Sequence, residues 1–550
     1  MGKKYTSPYF TNLRDSVSWF SDKSLNAAYN ALDRNIENGN GNKTALIYED
    51  ENGKVTQFSF FSLTKKANKI ANYLTHKIRV KKGDRVFLFL PQIPELYYSF
   101  LGILKTGAVA GTLYSTFQDN ALKDRLKDAE AAAIFTTKKL LPRLQRIKHE
   151  LPHLKHIIVI DEEVFENDFE LETEHFPTVH TKPEDYAFLV YTSGTTGKPK
   201  GIVHAHYAII QQIESARVCL DLKSDDIYWC TADPGCVTGL VYSILANWAL
   251  GITTVVYSGK FDPEKWYELI QKHEITVLYT APAAVRMLMA AGEEVVERFD
   301  VSSLRYLASG GEPLNPEAIT WGKKVFNLFF HDGWLQAETG SIMIANHPDL
   351  GIHPGSMGKP LPWVTAAILD DDMQPVATHE EGNLCLKPYW PSMMRTIWSA
   401  HEQYDSYFKD GWYISGDRAY QDDKGYFWFV GRAEDVINTA GERIGSFELE
   451  SALVEYPEVV EAGAIGKPDN VRGESIKAFV VLKPDIEPSE ELKMKLQNHV
   501  RQHVAAHAYP KEIEFIDQLP KTKNGNIMRR ILKAKEASQS LRDISTLEEY

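Results

Sequence analysis

The stretch Tyr191-Thr192-Ser193-Gly194-Thr195-Thr196-Gly197-Lys198-Pro199-Lys200-Gly201 constrains this chain more than any other. It follows the apolar run Ala187-Phe188-Leu189-Val190, which reads as a buried strand, so small hydroxylated residues emerge where that strand stops. Gly194 and Gly197 permit backbone conformations that larger residues resist. Ser193, Thr195 and Thr196 offer hydroxyl donors, and Lys198 and Lys200 supply positive charge, which together make a place to hold phosphate, with ATP the expected ligand. A Walker loop places four residues between its first Gly and the closing Gly-Lys-Ser/Thr, whereas here only Thr195 and Thr196 intervene and Pro199 follows Lys198. This is a phosphate loop of another kind.

A chain of 550 residues with 43% hydrophobic residues can build several compact units around sizeable cores. The net charge of −13 argues against nucleic-acid binding and against general attraction to anionic membranes, so anionic ligands must be met by local positive sites. Cys219, Cys230, Cys236 and Cys385 form no Cys-x-x-Cys pair and suggest no disulfide framework, which fits a reducing cytoplasm. Tyr242–Tyr257, the longest apolar candidate, is broken by Asn247 and Gly251 and falls short of the roughly 20 residues of a membrane helix, so it reads as core. The start lacks the apolar centre of a signal peptide, and no membrane insertion is expected.

Along the chain, the strand candidate Arg85–Leu90, the helix candidate Pro94–Lys105 and the run Gly107–Gly111 give βα alternation. The pattern returns at His156–Ile160 and at Pro263–His273 followed by Thr276–Tyr279. The expected fold is α/β: a large multi-subdomain N-terminal domain with mainly parallel sheets, residues 1–433, and a small mobile α+β C-terminal domain, residues 434–550. Short strands at Val459–Ile465 and Ala478–Leu482 and a helix over Ser489–His507 support the second unit, with the hinge near Glu434, after the strand Gly425–Val430.

The phosphate loop closely resembles the signature of the adenylate-forming superfamily of acyl-CoA synthetases, luciferases and peptide-synthetase adenylation domains. Several further motifs follow in that superfamily's order. Trp229–Gly235, Gly355–Pro360 and Trp390–Met394 look most like acetyl-CoA synthetase and its short-chain relatives, which implies a small carboxylic acid, ATP, Mg2+ and coenzyme A as partners. Gly311-Glu312-Pro313 and Asp332-Gly333-Trp334-Leu335-Gln336-Ala337-Glu338 are similar to the paired nucleotide-binding segments. The resemblance puts adenine between the first segment and Trp334, and magnesium at Glu338, whose hard oxygen ligand suits that ion. By the same resemblance Thr192 and the loop after it hold phosphate, Asp417 accepts from the ribose hydroxyls, and Arg432 contacts nucleotide. Lys200 and Gly441 are expected to serve catalysis, with Gly441 in the loop Ala440–Gly445 brought in for thioester formation by rotation about the hinge. Arg443, Arg501 and Arg125 align with basic positions near coenzyme A, where a planar donor fork suits phosphate.

The pattern breaks in three places. Asn526 stands where the family carries the lysine that bridges acid and α-phosphate, and Ala337 stands where a threonine is usual. Loss of one preorganised charge there predicts adenylation slowed by roughly 10²–10³-fold, unless Lys523 takes over. An adenylation-impaired protein that binds adenylates or performs only the thioester-forming half-reaction is the alternative. In the acid pocket Val237 and Thr238 match the acetyl-CoA synthetase pattern, but Leu335 replaces a large tryptophan and Gly310 a valine, which predicts room for propionate, butyrate or branched acids. His204 and His206, a conceivable metal pair, are expected to be packing histidines, and Cys236 an ordinary thiol.

Overall fold

The computed structural model describes residues 16–193, 199–439, 442–469, 473–504, 509–522 and 527–536. Three sheets organise them. In the first, five short apolar strands, Tyr186–Ser193, Val109–Thr112, Arg85–Leu88, Ala133–Thr136 and His156–Val159, run parallel in that spatial order. Their near-continuous burial is what a sheet covered by helices on both faces requires. The strand Pro199–Ala205 turns back antiparallel beside Tyr186–Ser193, with Thr192 opposite Lys200.

A second parallel block places Thr44–Glu49, Thr253–Tyr257, Ile227–Cys230, Val277–Thr280, Tyr306–Gly310 and Phe330–Trp334 side by side. The helices between these strands start where the sequence puts capping groups. Asp262, for example, accepts the Lys265 amide at 2.8 Å ahead of Pro263–His273. This sheet then continues without a break into an antiparallel region, Ile344–Ala345 through Phe427–Arg432, Trp412–Gln421 and Gly382–Leu386, that βα alternation did not announce. Its hairpins are set by local chemistry: Asp410 and Gly411, with φ of 50° and 76°, form the two-residue turn that joins Lys409 to Trp412.

The C-terminal unit has its own five-stranded sheet, beginning at Ile437, with Val459–Asp469 and Gly473–Leu482 as its long hairpin and the helices Ser446–Val454, Glu490–His503 and Arg529–Glu536 against it. The aliphatic core of this unit is separate from that of the large unit. The expected strand Gly425–Val430 starts later, at Phe427, and runs on through Arg432. The helix expected over Ser489–His507 is capped by Ser489 and ends at His503, with Leu492, Leu496 and Val500 on its buried face and Val504 packed on the same core just past its end; residues 505–508 lie outside the described set. Among the described residues no helix is long and apolar enough to cross a membrane, and Tyr242–Tyr257 is interior, as a bent helical segment followed by a strand.

Candidate active site

In both parallel blocks the strands deliver their C-terminal ends to one cleft, the position at which open α/β sheets bind ligands. Tyr186–Ser193 leads to the phosphate loop, Tyr306–Gly310 to Gly311-Glu312-Pro313, and Phe330–Trp334 to Leu335–Glu338. The cleft has a volume of about 880 Å³ and is closed on its far side by the C-terminal unit. Thr192, Lys200, the two nucleotide-binding segments, Asp417 and Arg432 all line it. Gly194, Thr195, Thr196, Gly197, Lys198, Gly441 and Asn526 lie outside the described residues, and for Ser193 and Arg443 only the backbone is described, each within a strand.

Asp417 sits at the centre of a cage of donors. Its Oδ2 accepts from Trp334 Nε1 at 2.8 Å and Gln336 Nε2 at 3.1 Å, while Oδ1 accepts from Arg432 Nη1 at 2.5 Å. An ionised carboxylate offers about four acceptor positions, so three are taken and one is left for a ligand hydroxyl. The Asp417 charge, partly opposed by burial, holds the Arg432 guanidinium even more firmly protonated than usual. Trp334 is 9% exposed, and its indole is fixed in the cleft wall by the same bond.

Glu338 is oriented by a residue that the sequence motifs passed over. The Tyr407 hydroxyl donates to Glu338 Oε1 at 2.9 Å and accepts from Lys200 Nζ at 3.2 Å, so one phenol links the acidic and basic groups expected beside the phosphates. Burial, and then the Glu338 charge, push the Tyr407 phenol well above its usual range and keep it a donor. Its ring stacks on Tyr413 with 5.7 Å between centroids, and Tyr413 in turn donates to Gln336 Oε1 at 2.7 Å. No local spacing signals this role, since Tyr407 lies 69 residues from Glu338 in the chain. The one hint is its place in the aromatic stretch Tyr404–Phe408.

Two buried acids shape the nucleotide wall. Asp332 accepts the Gly333 amide at 2.9 Å, and burial pushes its carboxyl up to about 7. Glu312 pairs with Arg286 at 3.1 Å, and Arg286 also faces Glu461 of the C-terminal unit at 3.7 Å. Lys521 donates to both oxygens of Glu461 at 2.9 Å. A charge chain therefore runs from the nucleotide-binding segment across the seam between the units, and Lys521 is already committed to it. Lys523 lies outside the described residues.

Beyond Thr238 and Gly311 the cleft opens into a second cavity of about 330 Å³, walled by Trp229, Tyr257, Trp266, Tyr279 and Met287. Val237 and Thr238 begin the short helix Val237–Leu240 at its mouth, and Leu335 lines the main cleft beside Gly310. The expectation that Gly310 adds space is corrected here. A Cβ at Gly310 would lie 2.6 Å from the Tyr279 hydroxyl and 3.0 Å from the Gly333 carbonyl oxygen, so Tyr279 already fills the volume a valine would take.

The expectation for Arg125 also fails. It is 1% exposed, its Nη1 donates to the Ala121 carbonyl at 2.9 Å, and its guanidinium lies over the Phe117 ring, so it presents no fork to coenzyme A. Arg501 is exposed on Glu490–His503, with its guanidinium 4.0 Å from the Tyr509 ring centroid. His204 and His206 are fully buried packing residues, and burial pushes their pKa down to about 4 and about 3. His204 nevertheless has a part in the site: its Nε2 meets the Ala337 carbonyl at 2.9 Å and braces the backbone next to Glu338. Burial pushes the Cys236 thiol up to about 11, away from reactivity.

The parallel blocks, the antiparallel extension, the separate C-terminal unit and the cleft between them define a nucleotide-activating ligase architecture, and the chain belongs to the AMP-binding enzyme family. That family's model matches residues 32–398, and the model of the AMP-binding enzyme C-terminal domain matches residues 448–526. The chain is 50% identical to the acetyl-coenzyme A synthetase of Bacillus subtilis over 534 residues, covering 96% of this chain and 93% of the relative. It is 38% identical to the acetyl-coenzyme A synthetase of Pasteurella multocida, over 96% and 87% of the two chains. Among solved structures it is similar to an anthranilate CoA ligase in complex with anthranoyl-AMP, with a TM-score of 0.86, 30% identity and coverage of 94% and 98%. It is also similar to an acyl-CoA synthetase of Brucella canis, with a TM-score of 0.74, 31% identity and coverage of 96% and 97%.

Proposed function

We propose that this protein is an AMP-forming acyl-CoA synthetase acting on a short-chain carboxylic acid. In the first half-reaction the acid's carboxylate oxygen attacks the α-phosphorus of ATP and displaces pyrophosphate to leave acyl-AMP. In the second, the sulfur of coenzyme A attacks the acyl carbon, a proton leaves the thiol, and AMP departs. The observation that carries this reading is the convergence, in one cleft, of the Asp417 carboxylate, held by Trp334, Gln336 and Arg432, with the Glu338–Tyr407–Lys200 chain.

Each group has a physical task. Asp417 keeps one acceptor position for a ribose hydroxyl because its other positions are held by Trp334, Gln336 and Arg432. Lys200 brings positive charge to the phosphates, and positioning with charge neutralisation is most of what phosphoryl chemistry asks of a protein. Glu338, a hard carboxylate held by Tyr407, suits Mg2+, which would neutralise phosphate charge there. The acyl chain would extend past Thr238 into the cavity walled by Trp229, Trp266 and Tyr279. Separate cores on either side of Glu434 support a C-terminal unit that takes up two orientations, one for each half-reaction. Four free thiols fit a reducing cytoplasm.

An adenylate-binding regulator, the alternative raised by Asn526, gains nothing from the relatives named above, each of which is called a synthetase or ligase. The deciding experiment is acyl-CoA formation by purified protein from butyrate, Mg-ATP and coenzyme A, beside the same reaction from pre-made butyryl-AMP. Comparable turnover from both establishes a complete synthetase. Turnover from butyryl-AMP alone rejects the adenylation half of the proposal, and no thioester from either rejects it entirely.

A further inference from the structure

Away from both cavities, three metal-ligating side chains meet at the seam between the two units. Glu455 caps the C-terminus of helix Ser446–Val454, and His499 and His503 stand one turn apart on helix Glu490–His503. One ligand atom from each lies within 4.8 Å of the other two. The i, i+4 spacing puts both rings on one helix face, where they stack with centroids 4.0 Å apart, and Tyr456 packs edge-on against His499.

Glu455 and His503 are exposed and His499 is half-buried, with His499 and Glu455 at ion-pair distance. His499 Nε2 is 3.4 Å from Glu455 Oε2, yet it is shielded from solvent and makes no hydrogen bond. Two ligands of a tetrahedral zinc ion, each bonded at about 2.1 Å, stand about 3.4 Å apart. The Nδ1 of His503 lies 2.8 Å from the His499 carbonyl oxygen, a bond it makes as donor. That bond selects the tautomer whose Nε2 lone pair is free, the usual outer-shell device for a ligating histidine.

A fourth group approaches from the large unit. Glu317, in the first turn of helix Pro316–Phe326, faces Glu455 across the seam, and its Oε2 is buried without a hydrogen-bond partner. Two imidazoles with carboxylate oxygen suit zinc and its borderline neighbours, whereas magnesium prefers an all-oxygen shell.

We propose that Glu455, His499 and His503 bind a borderline divalent cation, zinc in the first instance, and that Glu317 completes the site so that the ion ties the two units together in this orientation. The consequence for turnover rests on the two-orientation reading above: bound zinc restrains the C-terminal unit and slows acyl-CoA formation.

The test is titration of ZnCl2 into EDTA-stripped, nucleotide-free full-length protein, followed by calorimetry, for wild type, His499→Gln/His503→Gln and Glu317→Gln. Wild type is expected to bind one more tight equivalent than the double variant, and Glu317→Gln to keep the equivalent but weaken it by about tenfold. Equal stoichiometry and affinity in wild type and double variant overturns the site. Unchanged affinity in Glu317→Gln overturns the bridge between units. Because the titration needs no substrate, its result is independent of whether the acyl-CoA synthetase reading holds.

Discussion

The Tyr407 hydroxyl donates to Glu338 at 2.9 Å while accepting from Lys200 at 3.2 Å. Removing it in Tyr407→Phe leaves the ring stack on Tyr413 in place but frees Glu338 and Lys200 to move or pair differently. A hydrogen bond to a charged group contributes about 1.5–3 kcal/mol, so kcat/KM for Mg-ATP should fall by roughly ten- to a hundredfold. Steady-state kinetics at varied Mg-ATP, with the acid saturating, checks this; an unchanged kcat/KM rejects the role given to Tyr407.

Asp417 is held by three donors, so its replacement is costly in a particular direction. Asp417→Asn sets an amide nitrogen against part of this donor set, of which Gln336 keeps the Ser415 carbonyl as a second acceptor, and removes the charged partner of Arg432. The expected result is weaker ATP binding by roughly ten- to a hundredfold, since a hydrogen bond to a charged group contributes about 1.5–3 kcal/mol and the Arg432 side of the pair is partly exposed. Nucleotide binding followed by calorimetry would show it, with AMP as a second probe of the same ribose contact.

Asn526 supplies the prediction that bears most directly on chemistry. If the missing charge limits the first half-reaction, Asn526→Lys should raise pyrophosphate release by roughly 10²–10³-fold and leave the conversion of butyryl-AMP to butyryl-CoA unchanged. Equal pyrophosphate release by the two proteins would show that adenylation here does not depend on charge at that position.

Gly310→Val tests the acid pocket. Because the added side chain meets Tyr279 and the Gly333 carbonyl rather than open space, it should destabilise the protein by about 1–3 kcal/mol and depress turnover of acetate and butyrate alike. Leu335→Trp, which adds bulk at the cleft face, should instead lower kcat/KM for butyrate selectively. A gain in acetate turnover with full stability in Gly310→Val would contradict the packing seen around Tyr279.

The Asp332 carboxyl, buried and raised to about 7 from an ordinary value of 3.8, makes stability depend on pH in a definite sense. The folded state holds this proton more tightly than the unfolded chain does, so the contribution is complete below about 4 and is lost as pH rises towards 7. Asp332→Asn removes that loss while keeping an oxygen to accept the Gly333 amide. Relative to wild type, its ligand-free thermal midpoint should rise between pH 5 and pH 8, with an advantage at pH 8 on the order of 2–4 kcal/mol. A wild-type-like pH profile would place the raised group elsewhere.

Much of this protein is local in origin and therefore legible in its sequence. Apolar runs of four to six residues separated by helical periods fix the parallel strands, and Asp262, Ser489 and the Asp410-Gly411 turn carry their own start and stop signals. Thr192, Gly311–Pro313 and Trp334–Glu338, which line the cleft, are legible for the same reason, since they sit in short motifs at the ends of strands. What the sequence could not decide is which side chains meet across long separations. Tyr407 reaches Glu338 only because the antiparallel region folds back over the parallel block. Tyr279 takes the volume beside Gly310 because two neighbouring strands set its ring there, and Arg125 is drawn inside by the packing of its helix over Phe117. Backbone preference acts between neighbours and is written in them, whereas the partner of a buried polar group depends on how close-packed segments from distant parts of the chain divide a fixed volume, and that is settled only when the whole core forms.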